Sequence, residues 1–193
     1  MDSCPDEDRN FYGLTAGEWE QVKEWNSSSP PCVQACIHDL VYETTNLQPT
    51  SIAICSWDGC WTYAEFLAII NRVSGFLLQN GVSPGDMVPL YFEKSRWAIA
   101  AIFSIMKANA ALVPLDLSQP FKRIHEIVQE TKSKHVATSK YYAKAFTQKV
   151  PLEPLIIDQD LIDSLSPELH LEYTTEPAQV AFIMFTVSCL PLS

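Results

Sequence analysis

The sequence predicts an α/β fold, a mostly parallel sheet with flanking helices, and three observations carry that expectation. From Met87 onward, short apolar runs alternate with segments whose apolar residues recur at helical spacing, which is the pattern of βαβ units. Two capping boxes, Thr15-Ala16-Gly17-Glu18 and Thr62-Tyr63-Ala64-Glu65, mark helix starts. Finally, 193 residues that are 47% hydrophobic and 11% aromatic are enough to bury a sizeable core.

Residues 1–14 read as a polar tail or linker. The first capping box opens a short helix through Trp25, ended by Asn26-Ser27-Ser28-Ser29-Pro30-Pro31. Ile37, Leu40, Val41 and Thr44 then recur at helical spacing up to Pro49. A hairpin follows, Ser51–Trp57 and Cys60–Tyr63, around Asp58-Gly59, a dipeptide suited to the two positive φ angles of a type I′ turn. The second capping box starts a helix whose stripe is Phe66, Ile69, Ile70, Val73, Phe76 and Leu77, and Gly81 is placed to stop it. Beyond it the sequence predicts strand Met87–Phe92, helix Ser95–Ala108, strand Ala111–Leu115 and helix Pro120–Thr131. Strand His135–Thr138, helix Tyr141–Phe146, and strands Leu155–Asp158 and Val180–Thr186 complete the set. Pro89 has no N–H to give a ladder, so its strand is expected at an edge or with a bulge.

Net charge is −10 with no basic cluster, which argues against nucleic acid or anionic lipid as partners, since both need clustered Lys and Arg. The acidic N-terminus lacks the apolar segment of a secretory signal, and Trp97–Met106 is too short to span a bilayer. A soluble, cytoplasmic protein with reduced thiols is therefore expected. Cys32/Cys36 and Cys55/Cys60 do not have the spacing of a zinc knuckle, and no metal site is expected.

In a parallel sheet, ligands collect at the carboxyl ends of strands, and phosphates there are held by Gly-rich loops with converging backbone N–H groups. The six glycines are 13, 17, 59, 75, 81 and 85, with none beyond Gly85, and no nucleotide-loop, HExxH or GxSxG motif occurs. His38, beside Asp39 on a predicted helix, reads as solvated or packed. The five tryptophans read as core, and Asp116 as the cap of the turn after its strand. No catalytic residue emerges from the residue types alone.

Several stretches in order nevertheless resemble one family. Trp61-Thr62-Tyr63-Ala64-Glu65-Phe66 is similar to an early [ST]YxEL motif, and Met106-Lys107-Ala108-Asn109-Ala110-Ala111-Leu112-Val113-Pro114-Leu115-Asp116 to LKAGxAYVPLD. Asn109 there replaces Gly, as the next-best residue for a left-handed helix cap, and Leu112 replaces an aromatic. Asp116–Ile124 resembles the DPSxPxxRL segment that follows, with Leu117 for Pro, and Val88–Ser95 a VPLxFEKS stretch. Trp25-Asn26 with Val33–Leu40 is similar to the lead-in after a preceding module. Together these resemble the adenylation domains of fungal nonribosomal peptide synthetases, in the adenylate-forming (AMP-dependent synthetase) superfamily.

The resemblance covers roughly residues 14–186. It implies a helical lead-in over 15–50, a partial AMP-binding (adenylation) domain over 51–186 and a non-homologous tail over 187–193, making the whole an N-terminal fragment of the adenylation fold. The family's next element, [YF]TSGSTGxPKG, is matched only through Thr186, the one expected nucleotide-binding residue. Val187, Ser188, Cys189, Leu190 and Pro191 then stand where the loop's hydroxyls and glycines belong. The break inside one motif reads as a reading-frame event, and Val-Ser is what a GTAAGT splice donor translates to. The resemblance implies ATP-dependent aminoacyl adenylate formation, with ATP and Mg²⁺ in the intact family and phosphopantetheine on a partner carrier domain. Condensation domains are further family partners. This chain is expected to be inactive alone and to hold no cofactor. The alternatives are a truncated interaction module or a gene-model or pseudogene product.

Overall fold

The computed structural model describes residues 14–28, 33–166 and 176–185. The chain divides into two compact units, Met1–Gln34 and Ala35–Ser193. The first contains α1 (Ala16–Trp25), which the Thr15–Glu18 box starts as expected. Glu18 Oε2 accepts from Thr15 N at 2.7 Å and Thr15 Oγ1 accepts from Glu18 N at 3.3 Å. No residue of this helix is buried, so the cap and local propensity hold it rather than a core.

The second unit begins with α2 (Ile37–Leu47). Its buried positions are His38 and Thr45, with Val41 packed against the core between them. That is a face one residue out of phase with the expected stripe, and it leaves Ile37 and Leu40 exposed. A short hairpin follows, β1 (Ile52–Ser56) and β2 (Gly59–Thr62), antiparallel with Ser56 opposite Gly59. The turn is therefore Trp57-Asp58, and of the hairpin residues only Gly59 has positive φ (127°), so it is not the expected type I′ turn. Register also sets Cys55 opposite Cys60 at a Cα–Cα distance of 4.1 Å, and the two form a disulfide. The expectation of free thiols fails for this pair because the hairpin itself brings them face to face.

Asp58 ties the hairpin to the start of α4 (Arg96–Lys107). Its Oδ1 accepts from Arg96 N at 3.1 Å, and the Arg96 guanidinium lies 4.5 Å from the Trp61 ring centre. Gly59 suits this position because its φ of 127° strains any L side chain, and a Cβ, 2.6 Å from Arg96 Nη1, would also push the guanidinium tip aside. Trp61 is core, edge-on to Trp97 at 4.8 Å, whereas Trp57 is 78% exposed and donates to Lys94 O. The expectation that every Trp packs inside thus fails for Trp57, and also for the exposed Trp19 and Trp25.

The main sheet has four parallel strands in the order β4-β3-β5-β6: β4 (Ala111–Pro114), β3 (Met87–Tyr91), β5 (His135–Thr138) and β6 (Glu153–Ile156). Side chains alternate across it. Val88, Leu90, Leu112, Ala137 and Leu155 pack on one face with α3 (Tyr63–Gln79), α4 and α7 (Gln159–Ser164). Tyr91, Val113 and Val136 pack on the other with α5 (Phe121–Thr131) and α6 (Lys140–Thr147). Fully burying a side chain such as Ile70, Leu77, Leu112 or Ile124 contributes about 1.5–3 kcal/mol each.

β3 is interior, so Pro89 is neither at an edge nor in a bulge. Ala111 N donates to Asp86 O and Leu115 N to Leu90 O, so even-numbered residues of this strand bond toward β4. Period two then turns Pro89 toward β5, whose pairing with β3 begins only at Leu90. The missing N–H falls where no ladder bond is formed.

Helix ends follow the expected chemistry. Gly81 (φ 91°) ends α3 with Val82 N on Leu77 O, and Asn109 (φ 62°) ends α4 with Ala110 N on Ile105 O, the six-to-one bond of a left-handed C-cap. The 111–115, 120–131, 135–138 and 141–146 elements form close to their expected bounds, while β6 lies two residues earlier than expected. The α7 helix is not expected from the sequence, although Asp158 Oδ1 caps it by accepting from Leu161 N at 2.9 Å. Among the described residues, no helix is long and apolar enough to cross a membrane.

The second capping box makes a pH prediction. Glu65 accepts from Thr62 N at 2.8 Å and from Thr62 Oγ1 at 3.0 Å, and these bonds, the backbone one foremost, hold its carboxyl below the usual value. A depressed carboxyl stabilises the fold above its unfolded value and loses that contribution as pH falls through the folded one. Glu65→Gln is therefore less stable than wild type near about pH 7, and the difference disappears toward about pH 2. Urea melts at the two pH values check it.

Candidate functional site

Strand order locates the crevice. From β3 the chain crosses to β4 on one side, then returns past β3 to place β5 on the other. The carboxyl ends of β3 and β5 are thus the switch point where an open α/β sheet offers a ligand site. Here the groups at that point are engaged with one another. Thr138 Oγ1 donates to Tyr91 O at 2.8 Å, and Ser139 Oγ donates to Glu93 Oε2 at 2.8 Å.

The neighbouring strand ends behave alike. Asp116 follows β4 and its Oδ1 accepts from Ser118 N and Ser118 Oγ, both at 2.8 Å. These bonds hold its carboxyl below the usual value, so it caps the turn as expected. Asp158 caps α7, and Asp160 pairs with Lys140 at 2.7 Å. The polar side chains named at this end of the sheet thus bond to one another, to local backbone or to Lys140.

What the fold does place here is a chain segment. Leu112 N donates to Ala181 O at 2.8 Å and Ile183 N to Leu112 O at 2.9 Å, so residues 181–183 run parallel to β4 along its outer edge. This is a single bridge, shorter than the strand expected over Val180–Thr186. Ile183 and Phe185 pack against the Tyr91–Phe146 cluster, and Arg123 lies 5.8 Å from the Phe185 ring centre. Val180, Phe182 and Met184 alternate with them, at 62%, 43% and 72% exposure. A parallel segment runs toward the same carboxyl edge as the four strands, so residue 185 arrives there. Thr186, the expected nucleotide-binding residue, lies outside the described residues, as do Val187–Ser193. His38 is buried, and its burial is the main cause holding its pKa below the usual value. It is a packed residue remote in sequence from the strand ends.

A family model for AMP-binding enzymes matches residues 41–188. The chain belongs to the AMP-binding enzyme family. Among curated relatives it is 35% identical over 174 residues to the nonribosomal peptide synthetase TES of Alternaria alternata, and 35% identical over 171 residues to apmB of Penicillium brevicompactum. Those alignments cover 90% and 89% of this chain but only 3% and 7% of the relatives' own lengths.

Among solved structures, the chain superposes on the nonribosomal peptide synthetase FmoA3 in its α-methyl-L-serine-AMP bound form with a TM-score of 0.78. Identity is 22%, over 89% of this chain and 19% of that one. VinN in complex with 3-methylaspartate superposes with a TM-score of 0.67 at 20% identity, over 77% of this chain and 43% of that one. The fold is that of the N-terminal subdomain of adenylation domains, and the resemblance drawn from the sequence motifs is correct.

If the segment beside β4 is held as described, its two faces differ in energetic weight. Ile183→Ala costs about 2 kcal/mol, the low end for a core Ile because the site is only partly enclosed. Met184→Ala stays within about 0.5 kcal/mol of wild type. Chemical denaturation of the two variants separates the cases.

Proposed function

We propose that this chain is the N-terminal portion of an amino-acid-activating adenylation domain of nonribosomal peptide biosynthesis, and that its 193 residues do not catalyse the reaction alone. In that reaction a carboxylate oxygen attacks the α-phosphorus of ATP, the aminoacyl adenylate forms, and pyrophosphate leaves with the bonding electron pair. The aminoacyl group then passes to a phosphopantetheine thiol on a carrier domain. Positioning and neutralisation of the phosphates dominate such chemistry.

One observation carries the proposal: residues 181–183 bridge to β4 and lead the chain to the carboxyl edge, where the family motif places its Gly-rich loop next. Residues 187–191, Val-Ser-Cys-Leu-Pro, contain none of that loop's glycines. The described carboxylates at the edge already accept from Ser118, Leu161, Lys140 and Ser139, which supports reading them as structural groups and not as holders of a Mg²⁺-bound triphosphate. ATP and Mg²⁺ therefore belong, in this proposal, to the intact domain, and Thr186 is its one residue here that belongs to the nucleotide loop. The same proposal divides the chain into a lead-in over 15–50, the adenylation portion over 51–186 and a distinct stretch over 187–193. It also includes a cytoplasmic compartment, and carrier and condensation domains as partners of the intact assembly.

The test joins residues 1–185 to the remainder of a relative's adenylation domain. The fusion is expected to show amino-acid-dependent ATP–pyrophosphate exchange, while the 193-residue chain stays at background. Exchange by the chain alone contradicts the proposal, as does a fusion that is folded by circular dichroism yet silent.

A further inference from the structure

Outside the carboxyl edge, the described residues hold one cluster of three side chains that could ligate a metal. Cys36 is the N-cap of α2 without a side-chain cap bond, and its thiol is free and half-buried. His38 and Asp39 follow on the first turn. The ligand atoms of Cys36, His38 and Asp39 all lie within 4.8 Å of one another. The cluster adjoins a cavity of about 170 Å³ whose wall includes Cys36, His38, Met106, Asn109 and Glu176.

Thiolate, imidazole and carboxylate together form a donor set suited to a borderline cation, and to Zn²⁺ before Mg²⁺ or Ca²⁺. Zinc–ligand bonds of about 2.0–2.3 Å set tetrahedral donors about 3.3–3.7 Å apart. The 3.7 Å between His38 Nε2 and Asp39 Oδ1 already meets this spacing. We propose that Cys36, His38 and Asp39 form a three-ligand Zn²⁺ site at the start of α2, with the fourth position open to the adjoining cavity.

Sequence spacing hid this set, because the cysteines pair in no zinc pattern and the ligands instead fall at i, i+2 and i+3. Binding replaces the Cys36 thiol proton, which passes to solvent, by a sulfur–zinc bond. Lys107 is the local competitor: its ammonium interacts with the Asp39 carboxylate and opposes positive charge at His38. Neutralising Lys107 removes a nearby positive charge that opposes the metal.

The reduced full-length chain is titrated with Co²⁺ and then with Zn²⁺. The expected result is one equivalent of cobalt with a thiolate-to-metal charge-transfer band, displaced by Zn²⁺. Cys36→Ser abolishes the band and weakens Zn²⁺ binding at least about tenfold, and Asp39→Asn, at an exposed carboxylate, weakens it by a similar factor. Lys107→Met strengthens binding several-fold. Circular dichroism of each variant confirms the fold. A band that survives Cys36→Ser, or no saturable Zn²⁺ binding at about micromolar metal, overturns the proposal.

Discussion

The structure depends on one constraint: β3 must be buried on both faces while carrying a proline in its middle. Val88 and Leu90 seal it against α3 and α4, Tyr91 against α5 and α6. Pro89 is admissible because its missing donor points to the side where β5 has not yet begun to pair. Moving β5 one residue toward the amino end would ask for that donor. The proline thereby helps set the stagger of the sheet, and with it the level at which Tyr91, Thr138 and Ser139 meet at the crevice.

That stagger decides what the carboxyl edge is. Thr138 bonds back to Tyr91 and Ser139 to Glu93, so the switch point is closed by the protein's own groups. The bridge between Leu112 and Phe182 brings a further segment alongside β4 toward the same edge. Ile183 and Phe185 anchor the segment on the face that α5 covers. The opposite face, with Val180, Phe182 and Met184, is exposed. Fold and function are separable here: the sheet supplies position, and the glycine-rich backbone that the family uses for phosphate is not encoded in residues 187–191.

Much of this is legible in the sequence alone. Both capping boxes, the left-handed role of Asn109, the Asp116 turn and the βαβ alternation all follow from local chemistry, which acts over three or four residues. What failed to read was long-range. The buried face of α2 is set by what lies under it, so His38 went in and Ile37 stayed out. The Asp58–Arg96 tie joins residues thirty-eight apart in sequence, and it, rather than the Asp-Gly dipeptide, shapes the hairpin. The position of Pro89 could not be placed without strand order, and α7 is too short for periodicity to announce. The site divided in the same way: family motifs located the edge, whereas the acceptors that fill it are visible only as hydrogen bonds.

We propose that this chain builds the adenylation scaffold and that ATP binds only in the intact domain. Equilibrium titration of the folded 193-residue protein with Mg²⁺ and a fluorescent ATP analogue addresses it without any need for turnover. No saturable binding is expected up to about 1 mM nucleotide. Saturable binding near about 10 μM, competed by unlabelled ATP, would contradict it.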